Sequence, residues 1–180
     1  MARSIQALLS LALVLAPGMA DADDGEVKLA EPLRPFAALL GKTWRGEFKE
    51  STPEKPLFDV ARWERALNGQ AIRVLHSVND GAYGGETLIT WDATNKAVAY
   101  WYFTTAGFRT EGTITVEEGG WRGHETIVGA AGGMTEVRST TTLLPEGGFR
   151  VKAEYLKDGA WVAGREVTYQ LAPEAQVRFK

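Results

Sequence analysis

The sequence predicts an all-β protein, an antiparallel up-and-down barrel of about ten strands with a short N-terminal helix. Three observations carry this. From residue 44 onward, runs of β-branched and aromatic residues are broken roughly every eight to twelve positions by Gly, Asn, Asp or Pro. The breaks hold residues that tolerate positive φ, among them Asn68-Gly69, Glu118-Gly119-Gly120, Glu146-Gly147-Gly148 and Asp158-Gly159, so most connections read as hairpins that pair each strand with the next. No helical stretch separates the strands, which argues against a parallel sheet, and so long an antiparallel meander is best closed on itself to remove its edges.

Taken in chain order, residues 1–22 have the pattern of a secretory signal peptide: Arg3, an apolar stretch over 7–16, Pro17-Gly18, then Ala20-Asp21-Ala22 as a small-residue cleavage site. The apolar stretch is about half the length that a membrane-spanning helix requires. A polar, acidic leader is expected over residues 23–31 and a single barrel domain over 32–180. Leu33, Phe36, Leu39 and Leu40 share helical spacing, Pro32 suits a first turn and Gly41 a stop, which predicts the one helix of consequence. Strands are expected over 44–50, 57–67, 70–78, 86–92, 97–104, 108–116, 121–128, 134–144, 149–156 and 161–170.

Composition narrows function. The chain has no cysteine, so disulfides, thiolate metal sites, cysteine nucleophiles and a lipid-attachment cysteine are all excluded. Net charge is −3 with Lys and Arg scattered among Asp and Glu, which is not the electrostatic footprint of a nucleic-acid binder. The expected location is the periplasm or the medium, with no membrane span.

Alternation places Ile72, Val74, His76 and Val78 on one face of the third strand, Ala97, Ala99, Trp101 and Phe103 on one face of the fifth, and Phe149, Val151, Ala153 and Tyr155 on one face of the ninth. Charged residues break two otherwise apolar faces: Arg62 alternates with Phe58 and Val60, and Arg165 with Trp161, Ala163, Val167 and Tyr169. Either a few charges line a cavity, or those faces are offset by one residue.

Leu39-Leu40-Gly41-Lys42-Thr43-Trp44-Arg45-Gly46-Glu47-Phe48, a short helix followed by a Gly, a Trp and a Gly-Glu strand, resembles the opening of lipocalin-like (calycin) barrels, although two residues rather than one separate Gly41 from Trp44. With Trp63-Glu64-Arg65-Ala66-Leu67-Asn68-Gly69, Gly84-Gly85-Glu86-Thr87 and Tyr100-Trp101-Tyr102-Phe103, the chain is more closely similar to an exported bacterial family of lipocalin-like domains of unknown function. The resemblance implies a cup-shaped barrel, with Trp44 closing the floor beneath a late cation, Arg165 or Arg178. A fold alone implies no activity.

Motifs for chemistry are mostly excluded. Gly41-Lys42-Thr43 lacks the glycine that a phosphate loop needs five positions earlier, where Phe36 stands. His124-Glu125 lacks the second His of a zinc-protease helix, since Val128 stands there, and His124 reads as solvent-facing. No Gly-x-Ser-x-Gly is present, and two histidines cannot form a three-His zinc site. His76 differs because its face is apolar, which places an imidazole inside the cup. Arg62, Glu64 and His76 form the expected polar patch, with Trp101 and Tyr102 nearby, as ligand-binding residues for an apolar or mixed-polarity small molecule. The leading expectation is a binding or carrier barrel with no catalytic residue, metal or cofactor. Alternatives are a cavity isomerase or hydrolase using His76 or Glu64, a haem barrel with His76 as axial ligand, a carbohydrate-binding module using the tryptophans, and a solid barrel acting through its surface.

Overall fold

The computed structural model describes residues 28–180. The expected signal peptide and the first residues of the leader lie outside the described residues. The described part is all-β apart from short 3-10 turns and one longer 3-10 helix, Glu31–Leu39. Ten strands follow: β1 (Lys42–Phe48), β2 (Phe58–Ala66), β3 (Ala71–Val78), β4 (Tyr83–Asp92), β5 (Ala97–Thr104), β6 (Arg109–Glu117), β7 (Gly120–Val128), β8 (Met134–Leu143), β9 (Phe149–Lys157) and β10 (Ala160–Leu171). Each pairs antiparallel with the next, and β1 also pairs with β10, so the ring is closed and every strand has two neighbours. The expected architecture is therefore the observed one, and among the described residues no barrel strand has an open edge.

The helix seals one end. Leu33, Phe36 and Leu39 recur every third residue and are buried, which matches the three-residue turn of a 3-10 helix, where such positions form one stripe. Pro35 lies within this helix and has no N–H to donate to an α-helical ladder. Phe36 is fully buried, with its ring 5.1 Å from Trp121 edge-on and 6.5 Å from Trp63. Leu29 is buried and the Ala30 N–H donates to the Gly69 carbonyl, so residues at the end of the expected leader pack against this floor. Trp44 belongs to the same apolar layer: it meets Phe149 edge-on at 5.4 Å and its indole N–H donates to the Leu39 carbonyl. The cation over Trp44 is Lys42, at 5.9 Å, and not Arg165 or Arg178. Arg165 lies deeper in the barrel, and Arg178 sits near Asp80 at the opposite end.

Three faces differ from expectation. On β5 the interior residues are Val98, Tyr100 and Tyr102, so Trp101 and the exposed Phe103 lie on the outer wall. On β2 the interior residues are Asp59, Ala61 and Trp63, which puts Arg62 and Glu64 outside. On β10 the register shifts between Ala163 and Glu166, so that Gly164 and Arg165 together oppose Ala153. That β-bulge changes the phase of alternation: Trp161 and Ala163 face out, whereas Arg165, Val167 and Tyr169 face in. The faces expected for β3 and β9 are the interior ones.

Because the sealed end has Phe36 as its centre, Phe36→Ala is expected to destabilise the protein by about 3–5 kcal/mol. The denaturant midpoint of equilibrium unfolding should fall accordingly, with little change in slope.

Candidate functional site

Above the floor the barrel is hollow. A lower lobe of about 170 Å³ lies against Trp63, Trp121, Phe149, Ile89 and Ile114. An upper lobe of about 440 Å³ lies towards the other end, against Phe48, Leu57, Tyr83, Phe108, Ile127 and Tyr155. Tyr102, Glu125, Ser139 and Arg165 line both, so they form a polar shelf between two apolar spaces. The glycine-rich segments around residues 80–85 and 128–133 connect strands at the upper end, as the rim of the cup.

The shelf is organised around Asp59, which is 1% exposed. His76 Nδ1–H donates to its carboxylate at 3.0 Å, and the Tyr169 hydroxyl donates to the other oxygen at 2.6 Å. Burial pushes the Asp59 carboxyl up, but the His76 hydrogen bond and charge, the Tyr169 hydrogen bond and the Arg165 charge outweigh it and hold the group below the usual carboxylate range. An ionised Asp59 directs the Nδ1 proton towards itself and turns Nε2 to Tyr102, whose hydroxyl lies 2.7 Å away. Tyr102 in turn bonds the Tyr83 hydroxyl at 2.9 Å. The chain Tyr169–Asp59–His76–Tyr102–Tyr83 thus crosses the interior with every member partnered, as burial demands.

A second carboxylate, Glu125, accepts from Thr110. Burial pushes it above its usual range, which Thr110, the Arg165 charge and Tyr100 only partly counter. Burial also raises Tyr83, Tyr100, Tyr102 and Tyr169, so these phenols stay protonated and act as neutral donors. For Arg165, burial disfavours the charge, but Tyr169, Tyr155, Asp59 and Tyr102 more than compensate, and it remains a cation.

The residues expected to bind ligand divide between the two surfaces. His76 and Tyr102 lie inside and touch each other. Arg62, Glu64 and Trp101 lie outside: Arg62 bonds Glu64 of its own strand at 2.7 Å and Thr43 of β1 at 3.2 Å, and Glu64 also meets Arg73 across the β2–β3 pair. His124 is on the outer wall as expected, bonded to Glu136 at 2.7 Å. Asp59, Tyr83, Tyr100, Glu125 and Tyr169 were not expected in the site; Arg165, expected either to line a cavity or to lie on a face offset by one residue, lines it. Asp59 was within reach of sequence reasoning: once His76 faces inward, the Asn68-Gly69 turn sets Ala61 opposite it, and Asp59 is two residues along the same face. Among the described residues no cluster of three His, Asp or Glu forms a metal site. No described helix is long and apolar enough to cross a membrane.

No family model matches the sequence, and no curated protein does. Among solved structures, the fold is similar to that of Rv2717c from M. tuberculosis, with a TM-score of 0.58 at 13% identity, covering 81% of this chain and 99% of that one. At that identity the likeness is one of fold, and it agrees with a lipocalin-like barrel.

Two pH dependences follow with opposite signs. Asp59 stabilises the fold above its unfolded value of 3.8, and this contribution is lost as pH falls through the lower folded value. Asp59→Asn should therefore cost about 3 kcal/mol or more at neutral pH, and its deficit should shrink below 3.8. Glu125, raised on folding, opposes stability as pH climbs above its unfolded value of 4.5. Glu125→Gln should gain on the native protein over that climb, as read from thermal melts across a pH series.

Proposed function

We propose that this chain is an exported, lipocalin-like binding or carrier barrel for a small molecule of mixed polarity, acting in the periplasm or the medium. The observation that carries the reading is the hollow interior itself: two apolar spaces meeting at a shelf of hydrogen-bonding groups, the usual composition of a small-molecule site. The export part rests on the signal-peptide pattern of residues 1–22. Its resemblance to exported lipocalin-like domains points the same way. The polar anchors on this reading are His76 and Tyr102, joined by Asp59, Glu125 and Arg165, in place of Arg62, Glu64 and Trp101.

One observation favours a second reading. Asp59 and His76 form a carboxylate–imidazole pair next to a phenol, an arrangement suited to proton transfer, so a cavity enzyme would use these groups and not Glu64. A haem bonded to His76 Nε2 would have to displace the Tyr102 hydroxyl, since both ring nitrogens are hydrogen-bonded.

Native mass spectrometry of the protein purified from its own host tests the carrier reading. A retained small molecule is expected, and Val74→Phe, which fills the lower lobe from its wall, should abolish retention while leaving the melting transition cooperative. A native protein that emerges empty, or a variant that keeps the same adduct, would count against it.

A further inference from the structure

The interior holds one charged group that no side chain hydrogen-bonds. Arg165 lines both lobes, yet among the described residues it makes no hydrogen bond and no ion pair to a side chain; Tyr169, Tyr155, Asp59 and Tyr102 act on it only through space. The two carboxylates that could close on it are committed elsewhere. Both oxygens of Asp59 are taken by His76 and Tyr169, and Glu125 accepts from Thr110. The hydroxyls around the guanidinium, on Tyr102, Tyr155 and Tyr169, make no hydrogen bond to it. A guanidinium carries five N–H donors and no acceptor, and here the half-buried group presents them to the cavity with no side-chain partner.

The placement is also built. Without the bulge at Gly164-Arg165, strict alternation through β10 would not present both the outward Trp161 and the inward Val167. Gly164 permits the bulge because a Cβ there would sit 2.5 Å from the Tyr155 ring. The extra residue aims Arg165 into the cavity, a role that bulges often serve beside binding sites.

We infer that Arg165 is the anchor for the carboxylate of a ligand, whose ring-sized apolar body occupies the lower lobe. This rests on the cavity-binding reading and names the chemical class of its ligand. A carboxylate matches the planar guanidinium fork two oxygens to two N–H groups. Because Arg165 already faces an ionised Asp59, a monoanion adds the least negative charge to the cavity, and a dianion such as a phosphate monoester adds twice as much. The lower lobe, at about 170 Å³, is close to the cavity of about 150 Å³ that takes up one benzene ring. Its walls are the aromatic faces and edges of Trp63, Trp121 and Phe149, which suit an aryl group. The class is therefore an arylalkanoic acid or a carboxylic acid of similar bulk.

The test compares 4-phenylbutyrate with 4-phenylbutanamide, which share a body and differ in charge, by calorimetric titration and by the fluorescence of Trp63 and Trp121 in the lobe wall. The native protein should bind the acid at least tenfold more tightly than the amide at neutral pH. Arg165→Met should bring that ratio close to one while leaving amide affinity within about threefold of native. Arg165→Lys, which keeps the charge and loses the fork, should give an intermediate ratio, and it serves where the methionine variant does not fold. Equal binding of acid and amide by the native protein would overturn the carboxylate assignment and leave the cavity reading standing. An undiminished ratio in both variants would overturn the assignment to Arg165. Binding of neither probe would overturn this inference, and an empty native protein from its host would then remove the cavity reading as well.

Discussion

A carboxylate withdrawn almost wholly from water governs the interior of this barrel. Asp59 cannot sit there ionised without donors, since an unpaired buried charge costs several kcal/mol. It therefore fixes the orientations of His76 and Tyr169, and through His76 those of Tyr102 and Tyr83. These residues come from β2, β3, β10, β5 and β4, so one ion ties five strands of the wall to a single arrangement of side chains. An apolar filling of the same volume would hold the barrel closed at least as well, because buried ion pairs rarely improve on well-packed hydrocarbon. What the polar chain adds is fixed donors and acceptors in the middle of a cavity.

Space for that chain is made by glycine. A Cβ at Gly46 would lie 2.6 Å from the Tyr169 ring, one at Gly85 2.5 Å from Tyr102, and one at Gly164 2.5 Å from Tyr155; at Gly123 it would approach the Tyr100 hydroxyl to 3.1 Å. Four interior tyrosines thus lie over inward-facing glycines of other strands, which lets large rings bring their hydroxyls to the centre of the barrel without forcing the wall apart. The pattern ties composition to site chemistry. These glycines serve the interior and not the turns, and a methyl group at any of them would displace a phenol from the shelf.

Much of the fold was legible because period-two patterning and turn residues are local signals. The ten strands begin and end within a few residues of expectation, and the helix shows its stripe at Leu33, Phe36 and Leu39. The faces of β3 and β9 could also be read, since alternation there is unbroken. The face of β5 could not, because Ala97, Ala99, Trp101 and Phe103 are as apolar as the residues that point inward; a wall with aromatic residues on both sides carries no usable contrast. On β2 the misleading signal was Arg62 and Glu64, charged residues that belong to an outer ladder of ion pairs and not to the cavity. On β10 no reading by alternation could succeed, since one extra residue at Gly164-Arg165 inverts the phase halfway along the strand. A bulge leaves little trace in sequence beyond a glycine where a strand is otherwise continuous.

The failures of local reading fall where the structure departs from a plain barrel, and these departures converge. The bulge that hides the orientation of β10 turns Arg165 inward, and the misread face of β2 conceals Asp59, which helps keep that arginine charged. A sequence selected only to close a barrel would have kept strict alternation on β10 and placed no acid opposite the His76 strand. Both choices weaken local consistency, and such violations are expected where function sets the residue and the rest of the fold supplies the stability. Here that supply is visible: the helix-capped floor packs Phe36 and Trp44 against Trp63, Trp121 and Phe149, and these last three also wall the lower lobe. Stability is concentrated at one end of the barrel, which leaves the middle free to hold charged groups around a space.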